Sequence, residues 1–300
     1  MVDKQPNLVS GLQLWHWRNA AIKAAIATNV SVFEVDWLLQ EVADLDRLAL
    51  RLESYKDSSA IALKLPLEDL EHLWHRRLND RLPVQYIAGV TPWRHFKIAV
   101  SNAVLIPRPE TECLIDLAVA ATKSTPLQQG HWADLGTGSG AIALGLADVF
   151  KTATIHAVDC SSDALAIAQK NALNCGFADR IRFYQGSWWE PLELLKGQFS
   201  GMVSNPPYIP TSTVSTLQPE VVDHEPHLAL DGGGDGLDCI RHLIDISPAY
   251  LRPGGVWLVE MMAGQADAVR EMLQNQGSYD EVEIHADLAG IERFAVARAL

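Results

Sequence analysis

Two hydrophobic periods divide the chain. Between about residues 12 and 80, apolar side chains return every three or four positions, the spacing of helices with one buried face. Val32, Val35, Leu38, Leu39 and Val42 make one such stripe, and Ser31 with Glu34 predicts a capping box at its start. Leu67, Leu70, Trp74 and Leu78 make a second, with Pro66 suited to a first helical position. Trp15, Trp17 and Trp37 fall inside these stretches and are expected in a core. Residues 1–82 are therefore expected to form a small helical bundle. From Pro83 the period shortens: Phe96, Ile98 and Val100 alternate with Lys97 and Ala99, as in one arm of a hairpin. Residues 83–106 are expected to link the bundle to a second domain at 107–300, where Pro109 opens a helix with Glu110 and Glu112 in its first turn.

Beyond residue 131 short apolar runs alternate with helical ones, which predicts an α/β domain with a mostly parallel sheet. The strands are Trp132–Leu135, Thr154–Val158, Ile181–Tyr184, Phe199–Ser204 and Val256–Val259, the last entered by a turn at Pro253-Gly254-Gly255. A helix follows at Ala141–Ala147, and another is capped by Ser162 or Asp163 and stopped by Gly176. The runs 281–285 and 293–298 are expected to pair as a hairpin.

Composition narrows the class. Hydrophobic residues make up 48% of the 300, enough for a core, and no apolar run approaches the ~20 residues of a membrane span. Charged and polar residues interrupt the N-terminus, which lacks a signal-peptide pattern. Cys113, Cys160, Cys175 and Cys239 are scattered, so neither a zinc site nor a disulfide framework is indicated and no metal is expected. A cytoplasmic protein is the simplest reading. The net charge is −13. Residues 1–90 hold 10 basic and 12 acidic side chains, so 11 of the excess negative charges lie beyond them. Broad binding to nucleic acid phosphates needs the opposite sign.

Asp134-Leu135-Gly136-Thr137-Gly138-Ser139-Gly140 joins the first strand of this region to a helix. Glycines at alternate positions let the backbone turn sharply and approach a ligand. Asp159 ends the next strand, 23 residues after Gly136, where a carboxylate can accept from ribose hydroxyls. A dinucleotide fingerprint would have its third glycine one place later, and Asp134 would be an awkward neighbour for a pyrophosphate. S-adenosylmethionine, with a sulfonium and no phosphate, suits the loop better.

Asn205-Pro206-Pro207-Tyr208 follows the fourth strand. By itself the tetrapeptide reads equally as a proline-rich turn. As a site it offers the Asn205 side-chain oxygen and the Pro206 carbonyl as acceptors, in directions that two prolines restrict. Such a pair suits a planar NH2 group, with Tyr208 covering its flat face. In an open α/β sheet this turn and the glycine loop both lie at carboxyl ends of strands, where ligands bind.

With those two motifs the chain resembles the release-factor glutamine methyltransferases. The likeness runs through Pro83–Ile87, Leu105–Glu112, Asp134–Gly140, Asn205–Tyr208, Glu225-Pro226 and Asp287–Gly290 with Arg293, nearly everything beyond residue 83. Asn-Pro-Pro-Tyr alone is shared with adenine methyltransferases; the run Ile106–Glu112 makes the likeness specific. The resemblance implies a class I S-adenosylmethionine-dependent methyltransferase fold, Rossmann-like, with a mostly parallel seven-stranded sheet and a small N-terminal helical bundle. It implies methyl transfer to the side-chain amide N5 of the glutamine in the GGQ motif of peptide chain release factors, which modulates translation termination. Gly136, Thr137, Gly138, Ser139, Gly140 and Asp159 would bind the cofactor, with Trp188 flanking its adenine. Asn205 would touch cofactor and substrate, and Pro206, Pro207 and Tyr208 would complete the glutamine site, with Asn205, Pro206 and Tyr208 as the catalytic set. Two departures stand out: Ser187 where the family often has Asp, and Glu260-Met261-Met262 where a Gly commonly follows the Glu.

An amide nitrogen is a poor nucleophile, so positioning has to supply much of the rate, and no histidine occupies an evident general-base position. His224 and His227 are expected to be loop residues. The alternative substrates are adenine N6 or guanine N2 in nucleic acid, whose planar amines the same acceptors would fit. The acidic surface and the lack of a basic target-recognition insert weigh against stable nucleic-acid binding. A non-catalytic protein that retains cofactor is a further alternative. Release factors are the expected partners, docking on the bundle and linker, with no membrane involved.

Overall fold

A strand buried at every position, as Phe199–Ser204 is, lies inside a sheet covered on both faces. The computed structural model, which describes residues 7–300, places it there. In chain order the strands are β1 (Asn7–Val9), β2 (Ile61–Leu63), β3 (Val90–Trp93), β4 (Phe96–Ala99), β5 (Gly130–Leu135), β6 (Ala153–Asp159), β7 (Ile181–Gln185), β8 (Phe199–Ser204), β9 (Leu251–Glu260), β10 (Tyr279–Ala286) and β11 (Glu292–Ala299). The last seven form one sheet in the order β10-β11-β9-β8-β5-β6-β7. Strands β5 to β9 pair in parallel with one another, while β11 runs antiparallel to β9 and forms with β10 the hairpin expected of the runs 281–285 and 293–298.

Contacts divide the chain into two units. One runs to Val90 and takes in Gln218–His224; the other is Thr91–Leu217 with Glu225–Leu300. The segment expected as a linker is itself structured: Val84–Ala88 is a helix counted with the first unit, and β4 belongs to the second.

In the first unit the helices Gly11–Ala27, Phe33–Ala43 and Leu67–Asn79 bury Leu14, Leu38, Leu39 and Leu70 completely. Trp17 meets Trp74 edge-on at 6.3 Å between ring centres. The short pair β1–β2 has no counterpart in the sequence reading, since three residues are too few to show a period. Ser31 and Glu34 do not form the expected capping box. The helix starts from Val32 without a side-chain cap. The Glu34 carboxylate instead accepts from the buried Arg77 guanidinium at 2.6 and 2.9 Å, and Arg77 also donates to Glu220 at 2.9 Å. A partner that needs the carboxylate's charge outcompetes a local cap.

In the second unit two further local readings change. Ser161, not Ser162 or Asp163, caps the helix Ser162–Asn174, because it has the extended backbone that lets its hydroxyl accept from Ala164 N–H. Pro253-Gly254-Gly255 is not a turn before the fifth strand but a bulge within β9: between the pairs Phe199–Leu251 and Gly201–Val256, β8 advances two residues and β9 five.

The parallel strands run outward from the β5–β8 pair, with β6 and β7 on one side and β9 on the other. Sequence order reverses at that pair, and Asp134 of β5 lies opposite Val203 of β8. The carboxyl ends of these two strands flank the switch point where such sheets bind ligands.

Candidate active site

The glycine loop leaves β5 at this point. Gly136, Gly138 and Gly140 all have positive φ, at 76°, 53° and 83°, so side chains at these places would strain the backbone. A Cβ on Gly140 would also lie 3.1 Å from the Ala168 Cβ. The loop is braced on both sides. Gly138 N–H donates to Asp159 Oδ2 at 2.8 Å, and the other oxygen of Asp159 accepts from Ser161 N–H at 2.9 Å. The fully buried Asn171 carboxamide donates to the carbonyls of Ser139 and Ala99 at 2.9 and 3.0 Å, and accepts from Ala99 N–H. Asn171 thereby ties the loop to β4.

Asp134 does not face a ligand directly. It is fully buried, with Oδ2 accepting from the Thr137 hydroxyl and from Ala143 N–H in the first turn of the helix Ala141–Val149. Its Oδ1 is buried without a partner, and burial pushes its carboxyl up to about 7.

Asn205 follows β8 on the other side of the switch point. Its Nδ2 donates to the Thr111 hydroxyl at 3.2 Å, and no donor among the described residues reaches its Oδ1. Thr111 in turn donates to Glu260 Oε2 at 2.8 Å, and Tyr208 donates its hydroxyl to Glu260 Oε1 at 3.1 Å. Glu260 ends β9 and is fully buried. Desolvation pushes its carboxyl up to about 7, although the bonds from Thr111 and Tyr208 oppose the shift. Burial and the Glu260 charge likewise hold the Tyr208 phenol protonated.

The prolines are fixed from behind. Gln265 Nε2 donates to the carbonyls of Tyr208 and Gly236 at 3.0 and 3.3 Å, and Ile209 N–H donates to Leu230 O. Cβ atoms on Gly232 and Gly236 would come within 2.7 Å of the Pro207 carbonyl and 2.3 Å of the Tyr208 carbonyl, so only glycine allows the loop to lie against the turn. Across the opening, Arg108 donates to the buried Glu225 carboxylate at 2.5 Å, and Ile106 N–H donates to its other oxygen at 3.3 Å.

These parts enclose one cavity of about 360 Å³, within the range of small-molecule sites. Gly136, Thr137, Gly138 and Ser139 line it on one side, and Asp159 with Trp188 on another. Asn205, Pro207 and Thr111 line the far end. Gly140, Pro206 and Tyr208 are not in its wall; Gly140 turns the chain into the helix, and Tyr208 reaches Glu260 instead. The Trp188 backbone has φ 48°, uncommon for a bulky residue, and its ring packs where a Cβ on Gly136 would come within 3.4 Å.

The charges in the wall are diagnostic. Asp159 and Asp231 line the cavity, and no lysine, arginine or histidine does among the described residues. A pyrophosphate would find no counter-charge there, whereas a sulfonium or ammonium group would. His227, by contrast, is exposed at the start of the short 3-10 helix His227–Ala229 outside this wall, and the His224 ring Nε2–H donates to the Asp80 carbonyl within the first unit. No group of side chains among the described residues could hold a metal ion, and no described helix is long and apolar enough to cross a membrane.

Asn171, Gln265, Thr111 and the role of Glu260 were not singled out from sequence. Thr111 and Glu260 stood in quoted motifs, but their partners lie 94 and 149 residues away in the chain.

Comparison with known proteins agrees with this geometry. A family model described as methyltransferase small domain matches residues 115–235. The release factor glutamine methyltransferase of Synechocystis sp. is 54% identical over 97% of this chain and 98% of its own length. That of Thermosynechococcus vestitus is 49% identical over 95% and 96%. Among solved structures, the hMettl16 catalytic domain, in complex with MAT2A 3'UTR hairpin 6, superposes with a TM-score of 0.55 at 16% identity, covering 80% of this chain and 84% of its own; that likeness concerns the fold alone.

Proposed function

The chain belongs to the release factor glutamine methyltransferases, and from that membership we propose that its cavity methylates the N5 amide of a glutamine presented by a peptide chain release factor in the cytoplasm. The observation that carries this reading is the Asn205 carboxamide. Its nitrogen is committed to Thr111, which leaves an oxygen acceptor in the same cavity as the glycine loop.

S-adenosylmethionine, when bound, supplies an electrophilic methyl on a sulfonium; Gly136 to Gly140, Asp159 and Trp188 would hold it. Asp159 Oδ2 accepts only from Gly138 and keeps capacity for a ribose hydroxyl, while Oδ1 already accepts from Ser161 N–H and the Cys160 thiol. Asn205 Oδ1 accepts one N–H of the substrate amide from the cavity wall, and the Pro206 carbonyl, which lies outside that wall, is the acceptor proposed for the other. Held this way the nitrogen has one orientation, and alignment of this kind is worth about 7 kcal/mol or more when it is good. The same acceptors stabilise the positive charge that develops on nitrogen during transfer. Methylation makes the nitrogen acidic, so the surplus proton leaves to water without a dedicated base. Tyr208, anchored through its hydroxyl to Glu260, braces the turn that carries Asn205 from outside the cavity wall.

Nucleic acid fits less well. A flipped base brings phosphates with it, and the wall offers carboxylates in place of cations. The test is incubation with labelled cofactor and, separately, a purified release factor, DNA and RNA. Mass spectrometry is expected to place the label on one glutamine of the release factor. Label on a base, with none on the release factor, would refute the reading.

A further inference from the structure

The Thr111 hydroxyl has one proton and is shared between two partners. It gives that proton to Glu260 Oε2 at 2.8 Å and accepts from Asn205 Nδ2 at 3.2 Å. A carboxylate can only accept, so an ionised Glu260 fixes the direction of both bonds. The direction matters because a carboxamide has a donor end and an acceptor end of nearly equal size. If the Thr111 proton pointed the other way, Asn205 would turn its oxygen to Thr111 and present Nδ2 to the cavity.

We propose that Glu260 and Thr111 are positioning residues for the transfer: through one oriented chain of hydrogen bonds they keep the acceptor end of Asn205, and not its donor end, facing the substrate amide. The proposal rests on the reading that Asn205 Oδ1 receives a substrate N–H. It gives the buried carboxylate at the end of β9 a reason to be there. Tyr208 holds the second oxygen of Glu260, so the carboxyl group cannot swing away from Thr111 without losing a further bond. The three residues come from three separate elements, the turn Glu110–Glu112, the loop after β8 and the end of β9. A chain of bonds that spans them is a property of the assembled site.

Protonation of Glu260 would reverse the chain as surely as mutation. The groups acting on it are Thr111 and Tyr208 by hydrogen bonding, Glu110, which favours the proton, and Arg293, which opposes it. With the carboxyl pushed up to about 7, turnover is lost as pH falls through that value. Asp134 lies in the same range, but sits beneath the glycine loop and would act on cofactor affinity. The limb belonging to Glu260 is therefore read in kcat at saturating cofactor.

The experiment compares Glu260→Gln, Thr111→Val and Thr111→Ser on a purified bacterial release factor, with cofactor affinity measured by calorimetry. Gln can donate to Thr111 and so invert the chain. E260Q and T111V are expected to lower kcat about 100-fold, the scale of one lost preorganised polar contact, with cofactor Kd moving less than about threefold. T111S restores most of the rate, and the acidic limb of kcat, present in the wild type, is absent in E260Q. Wild-type kcat in a folded T111V, or an unchanged limb in E260Q, overturns the proposal. Should a variant lose cofactor binding in proportion to kcat, the residue is structural and the proposal fails equally. Asn205→Ala separates the two levels: if it turns over normally, the reading of Asn205 is wrong; if it is dead while T111V is normal, only the relay is wrong.

Discussion

Gly138 and Asp159 meet across the mouths of two strands, the backbone N–H of one donating to the carboxylate of the other at 2.8 Å. The carboxylate that would grip the ligand is thus also what shapes the loop beneath it. Replacing Asp159 by Asn removes an acceptor, and replacing it by Ala also frees Gly138. Hydrogen bonds to a charged group are worth about 1.5–3 kcal/mol, so Asp159→Asn is expected to raise cofactor Kd by about 10- to 100-fold in calorimetry, with Asp159→Ala at the upper end. Unchanged affinity would remove Asp159 from the site.

Asn205→Ala separates binding from chemistry. The cofactor loop hangs from β5 and is braced by Asp159 and Asn171, neither of which touches Asn205. Cofactor Kd should therefore change only a few-fold, while kcat on a release factor falls by about 100-fold or more. A variant that transfers at a comparable rate would contradict the acceptor role.

Arg108→Ala leaves Glu225, with its side chain only 1% exposed, without a counter-charge. Removing one member of a buried pair costs about 3–5 kcal/mol, and less here because Arg108 is 30% exposed. Burial already holds the Glu225 carboxyl above its usual range, with Arg108 opposing that shift, so the variant's carboxyl rises further. The folded variant then takes up a proton more readily than the unfolded chain. Its deficit, read by denaturant unfolding, should be largest near neutrality and shrink as pH is lowered.

A buried histidine gives a second pH signature. His156 is fully buried in β6, in contact with His131 at 2.8 Å and the Tyr184 hydroxyl at 3.1 Å. Burial first, then His131 and Arg182, lower it from 6.5 to about 4. Between those values the unfolded chain binds a proton that the folded one refuses, so stability falls with pH over that window, by on the order of 2 kcal/mol. Equilibrium unfolding from pH 7 to 4 should show the slope, and His156→Gln should flatten it.

How far the sequence discloses this protein depends on where each residue's partner lies. The strands at 132–135, 154–158 and 199–204 were legible because burial on both faces forces apolar runs. The glycine loop and Asn205-Pro206-Pro207-Tyr208 were legible because their chemistry is local. Capping was harder: Ser161, Ser162 and Asp163 are all competent, and only the extended backbone at Ser161 decides. The bulge at Pro253–Gly255 looks like a turn until β8 pairs beside it. What holds the Asn205–Tyr208 turn and the glycine loop stayed hidden, because Gln265 lies 57 residues from the Tyr208 carbonyl and Asn171 lies 72 from Ala99. Nothing in a hydrophobic period records such pairs.

Because Asp134 faces Val203 in a parallel ladder, the glycine loop and the Asn205 turn depart from neighbouring strands, whose separation of about 4.8 Å is a constant of the peptide backbone. No side chain is needed to set that interval, and no ordinary point mutation can widen it. Drift is then free to redraw the rim, at exposed places such as Leu228, while the workbench underneath keeps its dimensions. Lineages built on this sheet should change what they modify more readily than how they modify it.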